Sequence, residues 1–227
     1  LVLRRSGRFA EAEAFYRADV AEKPQSAEPL VNLGHVLAQV GRIDESLGCF
    51  EAALRLDPNS GEAHTNQAVL WLLGGDFERG WKEYEWRWRR KNSIPPPIPR
   101  PAWDGSPMPD GTILLVMEQG VGDVFHFVRY ARLVRQRVGR VLLLCRPPLL
   151  RILARTPGID RLVAETDAAP EFDVYAPLMG LPLLFGTNLE TVPAQVPYVE
   201  PDPERVARWS ERLGPYPGLT VGLAWQG

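Results

Sequence analysis

Cysteine and histidine are scarce in this chain of 227 residues: there are two of the first, Cys49 and Cys145, and three of the second, His35, His64 and His126. The cysteines stand far apart, at neither metal-ligand nor redox spacing, and no histidine clusters with them. A zinc site is therefore not expected, and the two thiols read as reduced and buried, as in a cytoplasmic protein. Positive charge is not in excess either. Lys and Arg number 26 against 28 Asp and Glu, a net charge of −2. That excludes a nucleic-acid binder working by phosphate neutralisation. No apolar run approaches the ~18 residues of a membrane span. An initiating methionine and a signal-peptide pattern are missing at Leu1-Val2-Leu3-Arg4, and the chain stops at Ala224-Trp225-Gln226-Gly227, directly after a strand-like run. On those grounds an internal fragment of a longer protein is expected.

What is present begins with self-similarity. Gly7, Gly41 and Gly75 stand 34 residues apart, and so do Phe9, Ile43 and Phe77, then Ala12, Ser46 and Gly80, then Tyr16, Phe50 and Tyr84. Pro24 and Pro58 close the first two units. Each column has one physical demand: glycine at a turn, a small residue where paired helices touch, an aromatic in the gap between repeats. The middle unit, 27–60, is clearest. Leu30, Leu33, Gly34 and Leu37 form the apolar face of its first helix, and Ile43, Leu47, Phe50, Ala53 and Leu54 that of its second. This is the tetratricopeptide (TPR) pattern, with Gly34, Gly41, Phe50, Ala53 and Pro58 as its structural positions. Such arrays offer a groove for a protein or glycan partner.

The third unit departs from the pattern in its second helix, read over Gly80–Arg90. Trp81, Tyr84 and Trp88 share a stripe there, with Trp86 off it. Two readings stay open: the aromatics cap the array, or they also dock the domain that follows.

From Ser93 to Pro109 seven prolines punctuate the chain, Pro95, Pro96, Pro97, Pro99, Pro101, Pro107 and Pro109. That density predicts an extended linker without helix or central strand. Beyond it strand and helix patterns alternate. Thr112–Met117 is a continuous apolar run, as in a strand buried on both faces. The turn Glu118-Gln119-Gly120-Val121-Gly122-Asp123 follows, and Val124, Phe127, Val128, Ala131, Val134 and Val138 mark an amphipathic helix. Further strands are predicted at 140–145, 161–164, 173–176 and 219–224, and helices at 147–154 and 204–213. Alternation of this kind predicts a parallel sheet covered on both faces. The expected organisation is repeats over 1–92, linker over 93–111, a Rossmann-like domain over 112–218, and the first strand of another domain over 219–227, poorly anchored without its own sheet.

Open parallel sheets bind ligands at the carboxyl ends of their strands, which makes the loop 118–123 the prime candidate site. A dinucleotide fingerprint fails there, because Phe125 stands where the third glycine belongs and Cys145-Arg146-Pro147 supplies no acidic residue for a ribose. A phosphate loop of the Walker type is absent from the sequence.

The block Glu118-Gln119-Gly120-Val121-Gly122-Asp123 with Phe127-Val128-Arg129-Tyr130 resembles the first strand, loop and helix of heptosyltransferase-like glycosyltransferases that carry N-terminal TPRs. The likeness continues through Pro157-Gly158-Ile159-Asp160, Pro177-Leu178-Met179-Gly180-Leu181-Pro182, Pro193, Pro197-Tyr198 and Val221-Gly222-Leu223-Ala224-Trp225. His126 replaces a glutamine of that pattern and Gly180 a serine. The resemblance implies a GT-B enzyme: two Rossmann-like domains, the first for the acceptor and the second for a nucleotide-sugar. It implies no metal and no cofactor, the departing diphosphate being met by helix termini and basic side chains of the second domain. It also implies that Asp123 is the general base and that Glu118, Gln119, Gly120, Gly122 and Arg129 line the acceptor site. His126 is the runner-up base on its own chemistry, imidazole being suited to proton transfer near neutrality. A bland alternative is that Asp123 is only the N-cap of the following helix. At the level of the whole protein, two classes of function remain: a glycosyltransferase whose TPRs recruit the acceptor, inactive as this fragment for want of its donor half, or an interaction scaffold with a structural α/β region.

Overall fold

The computed structural model describes residues 6–168, 170–215, 218 and 221–223. The chain forms two compact units, one of Leu1–Gly105 with Ala176–Pro193 and the other of Ser106–Tyr175 with Ala194–Gly227. No linear division of the chain anticipates the return of 176–193 to the first unit.

The first unit opens with five helices: α1 Phe9–Glu22, α2 Ala27–Gln39, α3 Ile43–Leu56, α4 Gly61–Leu73 and α5 Phe77–Tyr84. The repeat register is visible in the helix starts, since Phe9, Ile43 and Phe77 are each the first residue of a second helix. Its turns explain the glycine column. Gly7, Gly41 and Gly75 have φ of 74°, 80° and 85°, a left-handed conformation that glycine alone adopts without a Cβ penalty. After α2, Gly41 N–H donates to Ala38 O and Arg42 N–H to Leu37 O. After α4, Gly75 N–H donates to Leu72 O and Asp76 N–H to Trp71 O. Both ends are Schellman motifs, which satisfy the last carbonyls of the helix.

The other columns are equally physical. Ser46 is fully buried and its Oγ donates to Gly34 O at 2.6 Å. A Cβ at Gly34 would lie 2.7 Å from the ring of Phe50, and one at Gly80 would lie 2.6 Å from the side chain of Leu72. Ala12, Tyr16, Leu33, Val36 and Leu37 close one core cluster, with Phe9, Val20 and Cys49 packed against it. Ala53 is fully buried in α3.

The expected helix over Gly80–Arg90 is corrected. The α-helix stops at Tyr84, and Glu85–Arg89 continues as a 3₁₀ helix. With three residues per turn, positions i and i+3 eclipse. Arg87, not Trp88, therefore follows Tyr84 inward, and it is 3% exposed while Trp81 and Trp88 stay half-buried. Its Nη1 donates to Glu85 Oε1 at 2.6 Å and to Tyr84 O at 3.3 Å. Its guanidinium lies 4.7 Å from the ring of Trp88. Trp86, off the expected stripe, stacks 3.8 Å from His64 of α4. The first unit also holds a short helix, α9, Leu181–Leu184.

A four-stranded sheet has β1 Met108–Val116, β2 Val138–Cys145, β3 Arg161–Ala164 and β4 Val174–Pro177, in the order β3-β2-β1-β4. β1 with β2 and β2 with β3 are parallel. Ile113 to Val116 are buried in succession, as a strand covered on both faces requires. Against expectation, β1 begins inside the proline-rich stretch, at Met108. The ladder accommodates Pro109 by a register shift between Met108 and Thr112. Gly139 on β2 makes room for it: a Cβ there would stand 2.1 Å from Pro109 O.

The single helix expected after the loop is broken in three: α6 Val121–Phe127, a 3₁₀ turn Val128–Tyr130, and α7 Ala131–Arg135. Val138, assigned to that helix from its spacing, instead opens β2. Two helices complete the unit, α8 Pro147–Leu153 and α10 Pro203–Leu213. Asp202 caps α10, its carboxylate accepting Glu204 N–H at 3.0 Å. Of the strand expected over 219–224, Leu219, Thr220 and Ala224 lie outside the described residues. Val221 to Leu223 are exposed and not in a strand.

Candidate functional site

The loop at the carboxyl end of β1 is built by a strand that stops and a helix that starts within five residues. Met117 still pairs with β2, its N–H donating to Leu144 O at 3.2 Å. Glu118 is half-buried and Gln119 exposed. Gln119 holds φ of 58°, the left-handed region, although it is not glycine. A residue held there costs about 1–3 kcal/mol, which surrounding structure must offset, and such positions concentrate at functional sites.

Gly120, with extended backbone (φ −93°, ψ 168°), is the N-cap of α6. Asp123 is therefore the third residue of the helix rather than its N-cap, but it keeps the capping role that the sequence raised as the bland alternative, closing the helix start from within its first turn. Its Oδ2 accepts Gly120 N–H at 2.8 Å. A carboxylate in the first turn also complements the helix dipole. Among the described residues, Oδ1 accepts no hydrogen bond, and the side chain is half-buried. One oxygen is thus fixed by the backbone and the other is available.

The two loop glycines differ. A Cβ at Gly120 would meet Asp123 Oδ2 at 3.2 Å, so the close carboxylate explains that glycine. A Cβ at Gly122 would meet nothing within 4 Å. Among the described residues no packing requires glycine there.

Glu118, Gln119, Gly120, Gly122 and Asp123 thus share one continuous turn. His126 lies one helical turn further on α6, exposed, with its ring edge-on to Phe127 at 5.0 Å. Arg129 sits in the 3₁₀ turn after α6, its guanidinium 4.3 Å above the ring of Tyr198. That stacking joins Arg129 to the Pro197-Tyr198 block. Gly158 and Asp160, from another block, have structural roles. Gly158 has φ of 90°, and a Cβ on it would lie 2.6 Å from the backbone of Ala131.

In the repeats, Gly34, Gly41, Phe50 and Ala53 serve the packing described above, and Pro58 is exposed, its carbonyl 3.0 Å from His64 Nε2. Among the described residues no group of three or more His, Cys, Asp or Glu gathers to hold a metal, and no helix is long and apolar enough to cross a membrane. Sequence reasoning missed the burial of Arg87. The signal available was an arginine three residues beyond a core aromatic, legible only once the helix is known to tighten.

Residues 3–70 match the family model of the tetratricopeptide repeat. Over 99% of its length the chain is 27% identical to Protein FlbA of Caulobacter vibrioides, of which it covers 47%. Shorter matches are to the TPR repeat-containing thioredoxin TTL4 of Arabidopsis thaliana, 36% identical over 34% of this chain and 11% of the relative, and to Protein O-mannosyl-transferase Tmtc2 of Drosophila melanogaster, 38% identical over 28% and 7%. The chain spans less than half the length of each of these curated relatives. Among solved structures, an O-GlcNAc transferase mutant from Thermobaculum terrenum is 18% identical with a TM-score of 0.37, covering 70% of this chain and 38% of that one. Within the helical region, tetratricopeptide repeats are thus shown over residues 3–70.

Proposed function

We propose that the intact protein transfers a sugar from a nucleotide-sugar donor to a hydroxyl acceptor, with the repeats recruiting the acceptor. The loop 118–123 receives the acceptor hydroxyl, and Asp123 Oδ1 takes its proton. The oxygen then attacks the anomeric carbon, the bond from that carbon to the diphosphate breaks, and a nucleoside diphosphate leaves. The donor would be held outside residues 112–218, by helix termini and basic side chains.

The observation that carries this reading is the division of labour within one carboxylate at a strand's carboxyl end: Oδ2 anchored by Gly120 N–H, Oδ1 available. A general base must be oriented before it can act, and this one is. The strand order β3-β2-β1-β4 supports it, being the order that begins a doubly wound, ligand-binding sheet. One curated relative is named a protein O-mannosyl-transferase, which agrees with the chemistry over a short match.

The test is Asp123→Asn in the intact protein, assayed by nucleoside diphosphate release from uridine- and adenosine-diphosphate sugars. Asn keeps an acceptor for Gly120 N–H but removes the base. The expected result is a loss in kcat on the order of 10²–10⁴-fold with the melting temperature unchanged. Full activity in that variant would end the assignment.

A further inference from the structure

We propose that a cleft in the first unit, beside Trp81, binds a short peptide segment that combines a Lys or Arg with a neighbouring apolar side chain. This is a second site, built from other residues than the loop 118–123, and it stands whether or not that loop is catalytic.

The cleft has a volume of about 940 Å³ and lies between the α4–α5 turn with the start of α5 on one side and the segment 182–190 on the other. That volume is at the upper end of those that take small ligands or several side chains. Its apolar part is formed by Phe77 and Trp81, whose ring centroids are 6.4 Å apart, together with Leu183 and Leu189. Leu189 is 73% exposed.

The polar part has one sign. Asp76, Glu78 and Glu190 line the cleft, and none of its lining residues is Lys, Arg or His. Asp76 is neutralised by Arg79. Glu78 and Glu190 are exposed and have no ion-pair partner among the described residues. Carboxylates beside aromatic rings attract a cation twice over, by charge and by the ring faces. The same charges repel phosphate and carboxylate, so a nucleotide-sugar or an acidic peptide does not fit. A neutral sugar would bring no cation to offset the desolvation of two carboxylates.

Both walls are fixed before anything binds. Gly75, at φ of 85°, closes the Schellman turn at one side. On the other, Asn188 Oδ1 accepts Glu190 N–H at 2.9 Å and Thr191 N–H at 3.0 Å, setting the loop that carries Leu189 and Glu190. Little ordering remains for binding to impose, which favours affinity.

The experiment is fluorescence anisotropy on the full chain with four labelled octapeptides: alternating leucine and lysine, leucine and glutamate, serine and lysine, and leucine and serine. A titration with cellobiose is run in parallel. Saturable binding of the leucine–lysine peptide alone is expected. It should weaken at least tenfold in Glu78→Gln/Glu190→Gln, whose changes are exposed and leave folding intact, and also in Trp81→Leu. Equal binding of the serine–lysine peptide would reduce the effect to surface charge and overturn the proposal. So would equal binding of the leucine–glutamate or leucine–serine peptide, saturable binding of the sugar, no binding at all, or an unchanged affinity in the double Gln variant. Since neither readout involves transfer, the result is independent of the Asp123 test.

Discussion

Asp160 holds Val141 by two hydrogen bonds at once: its backbone N–H donates to Val141 O at 2.9 Å, and its Oδ2 accepts Val141 N–H at 2.7 Å. Asp173 does the same to Thr112, at 2.9 and 2.8 Å. Each aspartate sits immediately before a strand, β3 or β4, and ties it to its neighbour at the first residue. The side chain mimics the ladder bond that a preceding strand residue would supply. Asp160→Ala is expected to destabilise the sheet by about 1–2 kcal/mol, since a hydrogen bond to a charged acceptor is lost at a partly exposed site. Asp160→Asn, which keeps an acceptor, should recover most of that. Chemical denaturation of both variants checks it, and equal stability of Ala and Asn would show that the carboxylate does not pin the strand.

The repeats carry a pH dependence of defined sign. Glu13 of α1 receives Arg17 from its own helix and Arg42 from 29 residues away, both at 2.8 Å. Arg17 first and Arg42 second hold its carboxyl below the usual range. A depressed folded-state pKa adds stability that is present above the unfolded value, near pH 4.5, and lost as pH falls through the folded value. Thermal melts followed by far-UV circular dichroism should show this decline. Glu13→Gln is expected to start less stable at neutral pH and to decline less steeply in acid; identical slopes would remove Glu13 from the account.

How far these features were legible in the sequence depends on how local their causes are. The turn glycines and the run Ile113–Val116 follow from residues within one helical turn or one strand, and the aromatic column recurs with the 34-residue repeat; periodicity reports both directly. Gly139 does not, because its reason is Pro109 O, 30 positions earlier, and only the paired strands bring the two together. Arg87 is buried by a change from 3.6 to 3 residues per turn, so a helical wheel assigns the inward position to Trp88. At the candidate site, the motif placed Asp123 at the right turn but three positions from its true helical rank. The loop Glu118–Gly120 enters α6 at Val121, three residues before Val124, where the expected apolar stripe of the helix begins. The roles of Asp160 and Asp173 were invisible, since each depends on a strand partner distant in sequence.

Cys145 reports on the sheet. It is fully buried in β2, and burial pushes its thiol from the ordinary 9.0 to about 11. Attack on a disulfide reagent requires the thiolate, so this thiol is silent at pH 8 in the native state. Half-buried Cys49 in α3, also raised by burial, should react slowly. With an aromatic disulfide reagent, one slow equivalent is expected natively and two in denaturant. The raised folded-state pKa also means that stability is full below the unfolded value and declines as pH rises toward 11. Fast native labelling of both thiols would show that the sheet opens locally at β2.

Gly122 offers a test of the site that needs no assumption about proton transfer. It is exposed and lies in the first turn of α6, and a Cβ there meets nothing within 4 Å. Alanine is a better helix former than glycine by about 0.8–1 kcal/mol in a helix interior, so Gly122→Ala should leave stability unchanged or raise it slightly. Gly48 in α3 has the same open surroundings and is a matched control far from the loop in sequence. If an acceptor approaches the backbone between Gly120 and Asp123, the methyl group at residue 122 fills the space that ligand needs. Gly122→Ala is then expected to lower kcat/KM of the intact protein by tenfold or more, while Gly48→Ala gains stability with activity unchanged. Parallel melting curves and steady-state rates separate the outcomes. Loss of stability in Gly122→Ala would mean that the glycine serves the fold, and full activity in a stable Gly122→Ala would place the acceptor elsewhere.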